Sequence, residues 1–543
     1  MLYIGYSDFL CLVYRNTKNY KKKEVFVQQL KILWIDDEIE FLKPFVLFLT
    51  ERDYKVKTVS NGSDAIVMLV NEKYDLILLD EMMPGMDGLT TLREIRKINS
   101  SVPVIMVTKS EEEGLMEDAI ASQIADYLIK PINPNQIIMA IKKIFQADEI
   151  RKNKIGEEYA QFSAKLNQKL FSAPTWKEWF DIYQEICRWE LTLDEMNDHT
   201  LSQMHFLEKW NTNTEFSNYI AENYGNWLKS DDRPNMSFDI ISEFVIPQLG
   251  KKNPVYFIVL DCLRLDQYYM IEPFLKELFE VELNLYYSII PTATPYSRNS
   301  IFSGLLPCDI ARNFPEYWTE SSDLDTSRNR NEHQLLEAHI KDLGYNLEQS
   351  RYVKIFSIEE GNYVLRKIDT FSHDKLVILV YNFLDLLTHH RSKSQILKET
   401  IPDDSALRAF TRHWFLHSTF YEALKLIIKQ NATVILTTDH GSIKVNRASK
   451  IIGDKDTTTT VRYKQGRNLS CNDKQALHLK NPEDFGLPAR NIVDNYVFAK
   501  DDYYFVYPNS FHQYQKQYNG TFQHGGISME EMILPIAVCK PKK

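Results

Sequence analysis

The sequence lacks the features that mark secreted and membrane proteins. Its six cysteines are spread over 543 residues without a CxxC pair or a framework spacing, which favours reduced thiols over disulfides. The apolar start, MLYIGYSDFLCLVY, is short, is interrupted by Asp8, and precedes the basic run Lys21–Lys23 instead of following one. A signal peptide has the reverse order, and a membrane helix needs about 20 apolar residues. We therefore expect a cytoplasmic protein with no membrane insertion.

The sequence also lacks an excess of positive charge, and it is too long to fold around a single hydrophobic core. Lys and Arg number 64 against 74 Asp and Glu, which gives a net charge of −10. An acidic chain argues against binding long nucleic acid through one large basic face, and no basic helix-turn-helix candidate is visible. A transcription factor that reads DNA directly is therefore the least favoured class. Single cores stop growing near about 250–300 residues, so several domains are expected.

The pattern of apolar runs divides the chain into four parts. Residues 1–30 are expected to form an extension. Over residues 31–146, five apolar runs from KILWID to ADYLIKP alternate with amphipathic segments, which predicts a doubly wound parallel sheet. Residues 147–250 lack strand patterns and predict a helical bundle that links two domains. Residues 251–543 form a second α/β region, in which NPVYFIVLD, KLVILVYNF and ATVILTTDHG are predicted strands separated by long insertions.

Polar residues end successive strands of the first α/β region. Asp36 and Asp37 end the first predicted strand, Asp80 ends the third, Thr108 the fourth and Lys130 the fifth. The carboxyl ends of parallel strands meet at one edge of the sheet. Clustered carboxylates suit Mg²⁺, and one carboxylate can then act as a nucleophile toward a phosphoryl group. Lys130 would neutralise the new phosphate, and Thr108 would donate a hydrogen bond to it.

The blocks WIDDE, LLDEMMPGMDG, VTKS and YLIKP make this region resemble the receiver domain of two-component signalling. The resemblance implies that Asp80 is the phosphorylated aspartate and that Tyr127 is the switch aromatic, acting with Thr108 and Lys130. It further implies a Mg²⁺ site built from three carboxylates and one backbone carbonyl, contributed by Asp36, Asp37, Asp80 and Met82.

The second α/β region holds spaced groups of Asp, His and Thr: Asp261, Thr294, Asp385 with His389, Asp439 with His440, and His524. Two divalent ions about 4 Å apart can hold both the attacking and the leaving oxygen of a phosphoryl transfer. Mixed Asp and His ligands suit Zn²⁺ or Mn²⁺. A threonine hydroxyl beside a metal becomes a competent nucleophile, and at a helix start the exposed N–H groups help to hold an anion.

The order of these groups, with PTATPYSRNSIFSG, TTDHG and HGGISMEEMILP, resembles the alkaline phosphatase superfamily, and within it the PglZ-type domain. The resemblance implies one zinc on Asp261, Thr294, Asp439 and His440, and a second zinc on Asp385, His389 and His524. It also implies that Thr294 is the nucleophile, with Thr292 as the competing assignment. PTATPYSR does not supply the C/S-x-P-x-R block of a sulfatase, and a phosphoglycerate mutase would use serine.

Basic residues are candidates for holding the substrate. The stretch 444–467 includes Arg462, Lys464 and Arg467, which could bind a polyphosphate or a short oligonucleotide or could belong to a solvated loop. Arg298, one helical turn beyond Thr294, could pair with a substrate phosphate. Arg264 could do the same, or could brace the first strand.

As a whole, the chain from about residue 31 resembles the PorX-type response regulators of Bacteroidetes. The resemblance implies a sensor histidine kinase as partner, control of the type IX secretion system and contact with an extracytoplasmic-function sigma factor or secretion components. It also implies dimerisation on phosphorylation and zinc-dependent phosphodiesterase activity on cyclic or linear oligonucleotides. The alternative is a metal-stapled docking module that binds such partners without physiological turnover.

Overall fold

The chain folds into two compact units, residues 1–158 and residues 159–543. The computed structural model describes residues 30–99, 101–109, 124–145, 147–196, 198–250, 253–318, 329–345, 350–454, 458, 460–489, 491 and 493–542. The expected extension over residues 1–30 lies, apart from Leu30, outside the described residues. Within the described ranges, none of the helices has both the length and the apolar character required to cross a bilayer.

The first unit is built on a parallel sheet. Its elements are β1 (Lys31–Ile35), α1 (Ile39–Thr50), β2 (Lys55–Val59), α2 (Gly62–Asn71), β3 (Leu76–Asp80), α3 (Gly88–Ile98), β4 (Val104–Thr108), β5 (Asp126–Ile129) and α4 (Pro134–Phe145). The described strands pair in the order β2-β1-β3-β4-β5, all parallel. Alternate residues of β1 enter two separate cores, Leu33 and Ile35 on one face and Ile32 and Trp34 on the other. A strand buried on both faces has this apolar run, and the predicted doubly wound sheet is confirmed.

Gly88 sets the position of α3 against the end of β3. A Cβ at this residue would lie 2.4 Å from the Asp80 carbonyl oxygen and 2.7 Å from the Glu81 Cα. Only glycine allows so close an approach of two backbone segments. The side chain of Asp87 accepts a hydrogen bond of 2.7 Å from the Thr90 amide and thereby caps the helix. The GMDG motif therefore fixes the loop that follows Asp80.

Three long helices follow, α5 (Ala147–Phe171), α6 (Trp176–Met196) and α7 (His199–Trp227). Along α6 the buried residues recur at helical spacing, as in Trp179, Ile182 and Ile186. These residues belong to the same hydrophobic cluster as Tyr256 and Tyr287 of the second α/β region. The helical segment therefore shares a core with that region, which explains why both lie in one compact unit.

The remaining elements of the second unit surround a larger sheet. In chain order they are α8 (Ile246–Leu249), β6 (Val255–Leu260), α9 (Leu265–Leu278), β7 (Phe279–Tyr287), α10 (Thr294–Ser303), α11 (Pro307–Asn313), α12 (Glu332–Asp342), β8 (Ser350–Ile355), α13 (Ile358–Phe371), β9 (Leu376–Tyr381), α14 (Phe383–Lys393), α15 (Gln395–Thr400), α16 (Asp404–Leu416), α17 (Thr419–Ile427), β10 (Thr433–Thr437), β11 (Ile443–Val445), β12 (Arg447–Lys450), β13 (Tyr463–Arg467), β14 (Ala476–Leu479), β15 (Asp494–Ala499), β16 (Tyr503–Val506), α18 (Phe511–Tyr518), β17 (Thr521–Gln523), α19 (Met529–Met532) and β18 (Ile533–Pro541).

This sheet has the strand order β7-β18-β10-β6-β9-β8 in the described residues. β10, β6, β9 and β8 are parallel, while β18 runs antiparallel to both β10 and β7. In register, Thr437 faces Val259 and Leu260 faces Tyr381. The chain segments that leave β6, β9 and β10 therefore emerge side by side at one edge, where a ligand site is expected in such a sheet.

The shared core predicts how the second unit responds to truncation of α6. Ile186→Ala removes a fully buried side chain and should lower the free energy of unfolding of this unit by about 2–5 kcal/mol, because a cavity is left behind. Leu207→Ala, at a position 54% exposed on α7, is the control and should change it by about 0.5 kcal/mol or less. Denaturant unfolding of the full chain, followed by circular dichroism, measures both; equal effects would contradict the shared core.

Candidate active site

The phospho-acceptor pocket of the first unit gathers residues from four strand ends. The carboxylate oxygens of Asp36, Asp37 and Asp80 lie within 4.8 Å of one another. Asp36 and Asp80 are buried, while Asp37 is exposed. Lys130 Nζ lies 2.9 Å from Asp36 Oδ2 and 3.0 Å from Asp80 Oδ1. Three hard oxygen ligands with one exposed side suit a Mg²⁺ ion that keeps several waters.

Charge in this pocket is balanced by Lys130. Burial raises the pKa of Asp80; Lys130 opposes that shift and Asp36 reinforces it. Burial lowers the pKa of Lys130, but its hydrogen bonds to Asp36 and Asp80 outweigh that effect and raise it overall. Lys130 therefore stays charged beside the two carboxylates.

The predicted switch residues take different positions around the pocket. The Thr108 hydroxyl donates a hydrogen bond to the Glu81 carboxylate. Tyr127 is 41% exposed on β5, and the Met82 side chain is 64% exposed in the loop after β3. An exposed ring beside the pocket has room to change its rotamer.

The second candidate site lies at the carboxyl edge of the large sheet. Asp261 follows β6, Asp385 lies in the first turn of α14 after β9, and Asp439 and His440 follow β10. His524 follows β17, close to the carboxyl terminus. The parallel strands thus bring Asp261 and Asp439, 178 positions apart in sequence, to one edge, and β17 of a separate two-stranded sheet contributes His524.

The side chains form two adjacent clusters that share His440. Ligand atoms of Asp261, Asp439 and His440 lie within 4.8 Å of one another, and so do those of Asp385, His440 and His524. His440 Nε2 is 3.6 Å from Asp261 Oδ1 and 3.9 Å from Asp439 Oδ2. The rings of His440 and His524 stack with their centroids 4.2 Å apart. The arrangement has the dimensions of a two-metal centre.

His389 completes the second cluster. Its Nε2 lies 3.4 Å from Asp385 Oδ1 and 3.3 Å from His524 Nε2. Its side chain is 44% exposed, whereas those of Asp385 and His524 are 12% and 10% exposed. The site is therefore reached from the side of His389.

Backbone carbonyls set the tautomers of two of these histidines. His440 Nδ1 lies 3.0 Å from the Gly441 carbonyl oxygen, and His524 Nδ1 lies 3.3 Å from the Thr292 carbonyl oxygen. A carbonyl only accepts, so each Nδ1 carries the proton and each Nε2 points its lone pair toward the carboxylates. A carbonyl behind the ring orients metal-binding histidines in the same way.

The carboxylates of the site fit a bound cation. Asp261 Oδ1, Asp385 Oδ1 and Asp439 Oδ2 are buried and accept no hydrogen bond. Burial raises the pKa of Asp261 well above its ordinary value, because a carboxylate out of water is disfavoured without a counter-charge. Carboxylate and imidazole donors together match Zn²⁺ or Mn²⁺.

The two threonines considered for the nucleophile differ in what they contact. Thr294 begins α10, and its Oγ1 lies 3.0 Å from His440 Nε2. The Thr292 hydroxyl instead donates to the Gly526 carbonyl at 2.9 Å and accepts from the Gly525 amide at 3.1 Å. Thr292 thus holds the loop that carries His524, while Thr294 faces the two clusters.

Two polar residues that sequence reasoning missed hold Arg298 behind the site. The Arg298 guanidinium donates 2.7 Å hydrogen bonds to Asp261 Oδ2 and to Glu332 Oε1, and one of 3.2 Å to Asn382 Oδ1. Arg298 therefore orients the Asp261 carboxylate, and its contact with a substrate phosphate stays a prediction. Asn382 could have been found as the polar residue directly after β9. Glu332 lies within a long insertion, where no local pattern marks it.

The structure corrects two of the expected substrate contacts. Arg462 is fully buried, with its guanidinium bound to the Glu531 carboxylate. Lys464 is 1% exposed and donates to the Thr458 carbonyl at 2.7 Å. Arg462 thus binds α19 and Lys464 bonds within the stretch 444–467, so neither side chain is presented to a substrate. Arg467, the third, is exposed. Arg264 is buried between Asp266 and Asp404 and braces the start of α9.

A parallel sheet with an acidic phospho-acceptor pocket, joined to a phosphatase-like sheet with an Asp and His centre, defines a response regulator with a phosphatase-like output domain. Residues 240–538, more than half of the chain, match the model of the BREX system PglZ alkaline phosphatase-like domain, and the chain belongs to that family. Residues 32–142 match the response regulator receiver domain, and residues 149–228 match the PorX response regulator linker domain. The three matches together are those of a PorX-type regulator.

The curated relatives share part of the chain. The transcriptional regulatory protein ResD of Bacillus subtilis is 34% identical over 116 residues, which are 21% of this chain and 48% of ResD. The CpxR homolog of Haemophilus influenzae is 38% identical over 126 residues, 23% of this chain and 55% of that protein. The chain thus spans about half the length of these curated relatives.

Solved structures of response regulators also match. A two-component response regulator from Clostridium difficile is 31% identical, with a TM-score of 0.21, and covers 22% of this chain and 97% of its own. The chemotaxis protein CheY4 of Vibrio cholerae is 24% identical, with the same TM-score of 0.21, and covers 22% of this chain and 99% of its own.

The raised pKa of Asp439 predicts a pH effect in the metal-free protein. Burial raises this pKa to about 6, although Arg298 opposes the shift. The folded chain then holds the proton more tightly than the unfolded chain. This contribution to stability is full below the ordinary carboxyl pKa near 4 and is lost as the pH rises through about 6.

Asp439→Asn removes that titration. In the presence of a metal chelator, the Tm of the parent should therefore fall relative to the Tm of Asp439→Asn as the pH rises from about 4 to about 7. Thermal unfolding followed by fluorescence measures the difference, with Asp369→Asn, an exposed position on α13, as the control. Parallel profiles for parent and Asp439→Asn would show that this carboxylate is not destabilised by burial.

Proposed function

We propose that the chain is a cytoplasmic response regulator, phosphorylated on Asp80, whose output domain is a zinc-dependent phosphodiesterase. Its substrate is proposed to be a cyclic or linear oligonucleotide. The observation that carries the enzyme proposal is the set of buried carboxylate oxygens that accept no hydrogen bond beside the Thr294 hydroxyl. A scaffold would need neither several buried carboxylates at one edge nor a hydroxyl against the histidine that both clusters share.

The two clusters suggest which residues hold zinc. Asp261, Asp439 and His440, with Thr294, would hold one ion, and Asp385, His389 and His524 the other. Bound zinc would supply a Lewis acid that lowers the pKa of the threonine hydroxyl and stabilises charge on phosphoryl oxygens. Mg²⁺ is proposed for the oxygen-only pocket of Asp36, Asp37, Asp80 and the Met82 carbonyl.

Thr294 is the proposed nucleophile. Its Oγ1 would attack the phosphorus of a diester, and the bond from phosphorus to one ester oxygen would break, so that one alcohol leaves and takes up the threonine proton. Water would then break the bond between Oγ1 and phosphorus, which releases the other ester as a phosphomonoester and restores the threonine hydroxyl. Thr294 begins α10, where the helix dipole favours an anionic phosphate. Pro295 has no N–H group, and the Tyr296 and Ser297 amides donate to the Ala293 carbonyl. Thr292 is the weaker candidate, because its hydroxyl already bonds Gly525 and Gly526.

The proposed substrate class rests on the family resemblance and on the distribution of charged residues. Arg467 is the exposed member of the three basic residues expected to meet the substrate, and Arg298 lies one turn from Thr294. A diester with few charges needs fewer cationic contacts than a long nucleic acid, which agrees with an acidic chain.

The regulatory part of the proposal starts at the receiver domain. Residues 31–146 would form that domain, residues 147–250 a helical linker and residues 251–543 the hydrolase domain. Phosphorylation of Asp80 by a sensor histidine kinase would redirect Lys130 and Thr108 and move Tyr127. The result would be a homodimer that controls type IX secretion, through an extracytoplasmic-function sigma factor or secretion components.

Replacement of Thr294 tests the enzyme. Zinc-loaded Thr294→Ala should keep its fold and lose at least about a hundredfold in turnover of bis-p-nitrophenyl phosphate, because the attacking oxygen is gone. Thr292→Val should weaken the His524 loop and lower zinc content, while turnover per bound zinc stays within about tenfold.

Three results would contradict parts of this account. Turnover in Thr294→Ala equal to that of the parent would exclude Thr294 as nucleophile. Zinc-loaded parent protein without turnover on this diester or on oligonucleotides would favour the docking module. Turnover unaffected by chelator would exclude the metal.

The switch is tested on the full chain with acetyl phosphate and Mg²⁺. The parent should shift from monomer to dimer in size-exclusion chromatography with light scattering, whereas Asp80→Asn should stay a monomer because the acceptor carboxylate is absent. Asp53→Asn is the matched control, since Asp53 is exposed and its left-handed backbone suits asparagine. Dimerisation of Asp80→Asn as complete as that of the parent would refute the switch.

A further inference from the structure

A cavity lies along the amino-terminal half of α7, on the same helical face that enters the shared core further along the helix. It has a volume of about 360 Å³ and is walled by the helical segment on one side and by the phosphatase-like domain on the other. His205, Lys209 and Asn213 line it from one face of α7, and Arg408 and Glu530 line it from α16 and α19. None of the residues assigned to zinc or to the phospho-acceptor pocket lines it. Its volume falls in the range of sites for small ligands, about 300–1,000 Å³.

The charge of this cavity is negative. Seven carboxylates line it against three basic side chains, Lys209, Arg408 and Lys444. Lys209 Nζ already bridges Glu190 at 2.7 Å and Glu530 at 2.9 Å. Lys444 Nζ donates to the Pro402 carbonyl instead of to a carboxylate. Two further cations pair with lining carboxylates, Arg264 with Asp404 and Arg447 with Asp501 and Asp502. Seven carboxylates still exceed these five cations, so a cation is favoured inside and an anion is repelled.

Asp501, which lines the cavity, has a buried carboxylate oxygen that lacks a hydrogen-bond donor. The residue is 3% exposed and has a left-handed backbone, with φ of 46°. Its Oδ2 accepts from Thr214 Oγ1 at 3.0 Å and from Arg447 Nη2 at 3.1 Å. Its Oδ1 is buried and accepts no hydrogen bond. A buried carboxylate oxygen in that state costs free energy until a donor reaches it.

Aromatic side chains show which kind of cation fits. Phe206, 59% exposed, and Trp210 line the cavity from α7. The Trp210 ring already has the Arg447 guanidinium 4.8 Å from its centroid. Ring faces beside carboxylates suit an ammonium or guanidinium group on an apolar stem. Among the described residues, the Asp, Glu and His groups close enough to hold a metal lie elsewhere, so a bare metal ion fits less well.

We propose that this cavity binds a protonated amine or a guanidinium group, which donates to the Asp501 carboxylate and lies against Phe206 and Trp210. The group belongs either to a small organic cation or to a basic side chain of a partner protein. The site is separate from the proposed zinc centre, and its occupation does not depend on hydrolysis.

Calorimetric titration of the zinc-loaded full chain with agmatine, which carries an amine and a guanidinium group, tests the site. The parent should bind one agmatine per chain, and 1,4-butanediol should give no binding. Asp501→Asn should weaken binding at least about tenfold, because it replaces the carboxylate while asparagine tolerates the left-handed backbone. Asp369→Asn, outside the cavity, should bind within about twofold of the parent.

A tethered cation provides a test that leaves Asp501 intact. Ser202 lies at the exposed rim of the cavity on α7. Ser202→Lys should place an ammonium group in the cavity and weaken agmatine binding at least about tenfold, whereas the neutral Ser202→Gln should not. Binding of agmatine that neither Asp501→Asn nor Ser202→Lys alters would overturn the proposal, as would the absence of binding to both agmatine and the peptide named next.

The source of the cation is decided by comparing agmatine with acetyl-Gly-Arg-Gly-amide. Tighter binding of the peptide, lost in Asp501→Asn, would assign the cavity to a partner's arginine. Tighter binding of agmatine, lost in the same variant, would assign it to a small organic cation. Either outcome supports a site for an organic cation.

Discussion

The second unit depends on one electrostatic constraint, the burial of three carboxylates at the carboxyl edge of its sheet. Asp261, Asp385 and Asp439 each keep a buried oxygen that no donor reaches. Charges out of water must be paired, hydrogen-bonded or neutralised. Arg298 meets part of this need, with a 2.7 Å hydrogen bond to Asp261 Oδ2 and an ion-pair contact of 3.8 Å with Asp439 Oδ2. His389 Nε2, 3.4 Å from Asp385 Oδ1, neutralises charge only when the imidazole is protonated. Two cations bound between the carboxylates would neutralise the buried charge.

The surrounding structure is arranged to keep these groups in place without neutralising them. Parallel β6, β9 and β10 bring the acidic residues together, and backbone carbonyls turn His440 and His524 so that each Nε2 faces inward. Thr292 fixes the loop of His524, and the helical segment packs its aromatic side chains into the same core. A rigid support of this kind lets a hydroxyl such as that of Thr294 be held for reaction at low reorganisation cost.

Strand ends could be predicted from the sequence because a fully buried parallel strand is a continuous apolar run with a polar residue at its end. Asp80, Asp261 and Asp439 were found by that signal. Pairing between distant residues gives no such signal: the basic stretch 444–467 predicted a substrate contact at Arg462, but its buried partner Glu531 lies 69 residues further on. Glu332, which holds Arg298, was missed for the same reason.

Elemental analysis of the purified protein is the decisive test of whether the buried carboxylates hold metal. The buried carboxylates predict about two zinc ions per chain. Zinc should be retained in Thr294→Ala, where Asp261, Asp439 and His440 remain as ligands, and reduced in His524→Ala. Protein that folds with its ordinary stability at neutral pH yet holds less than about 0.2 zinc or manganese per chain, even after incubation with both metals, would contradict the account. The buried carboxylates would then have to be neutralised by protons, and the site would not be a metal centre.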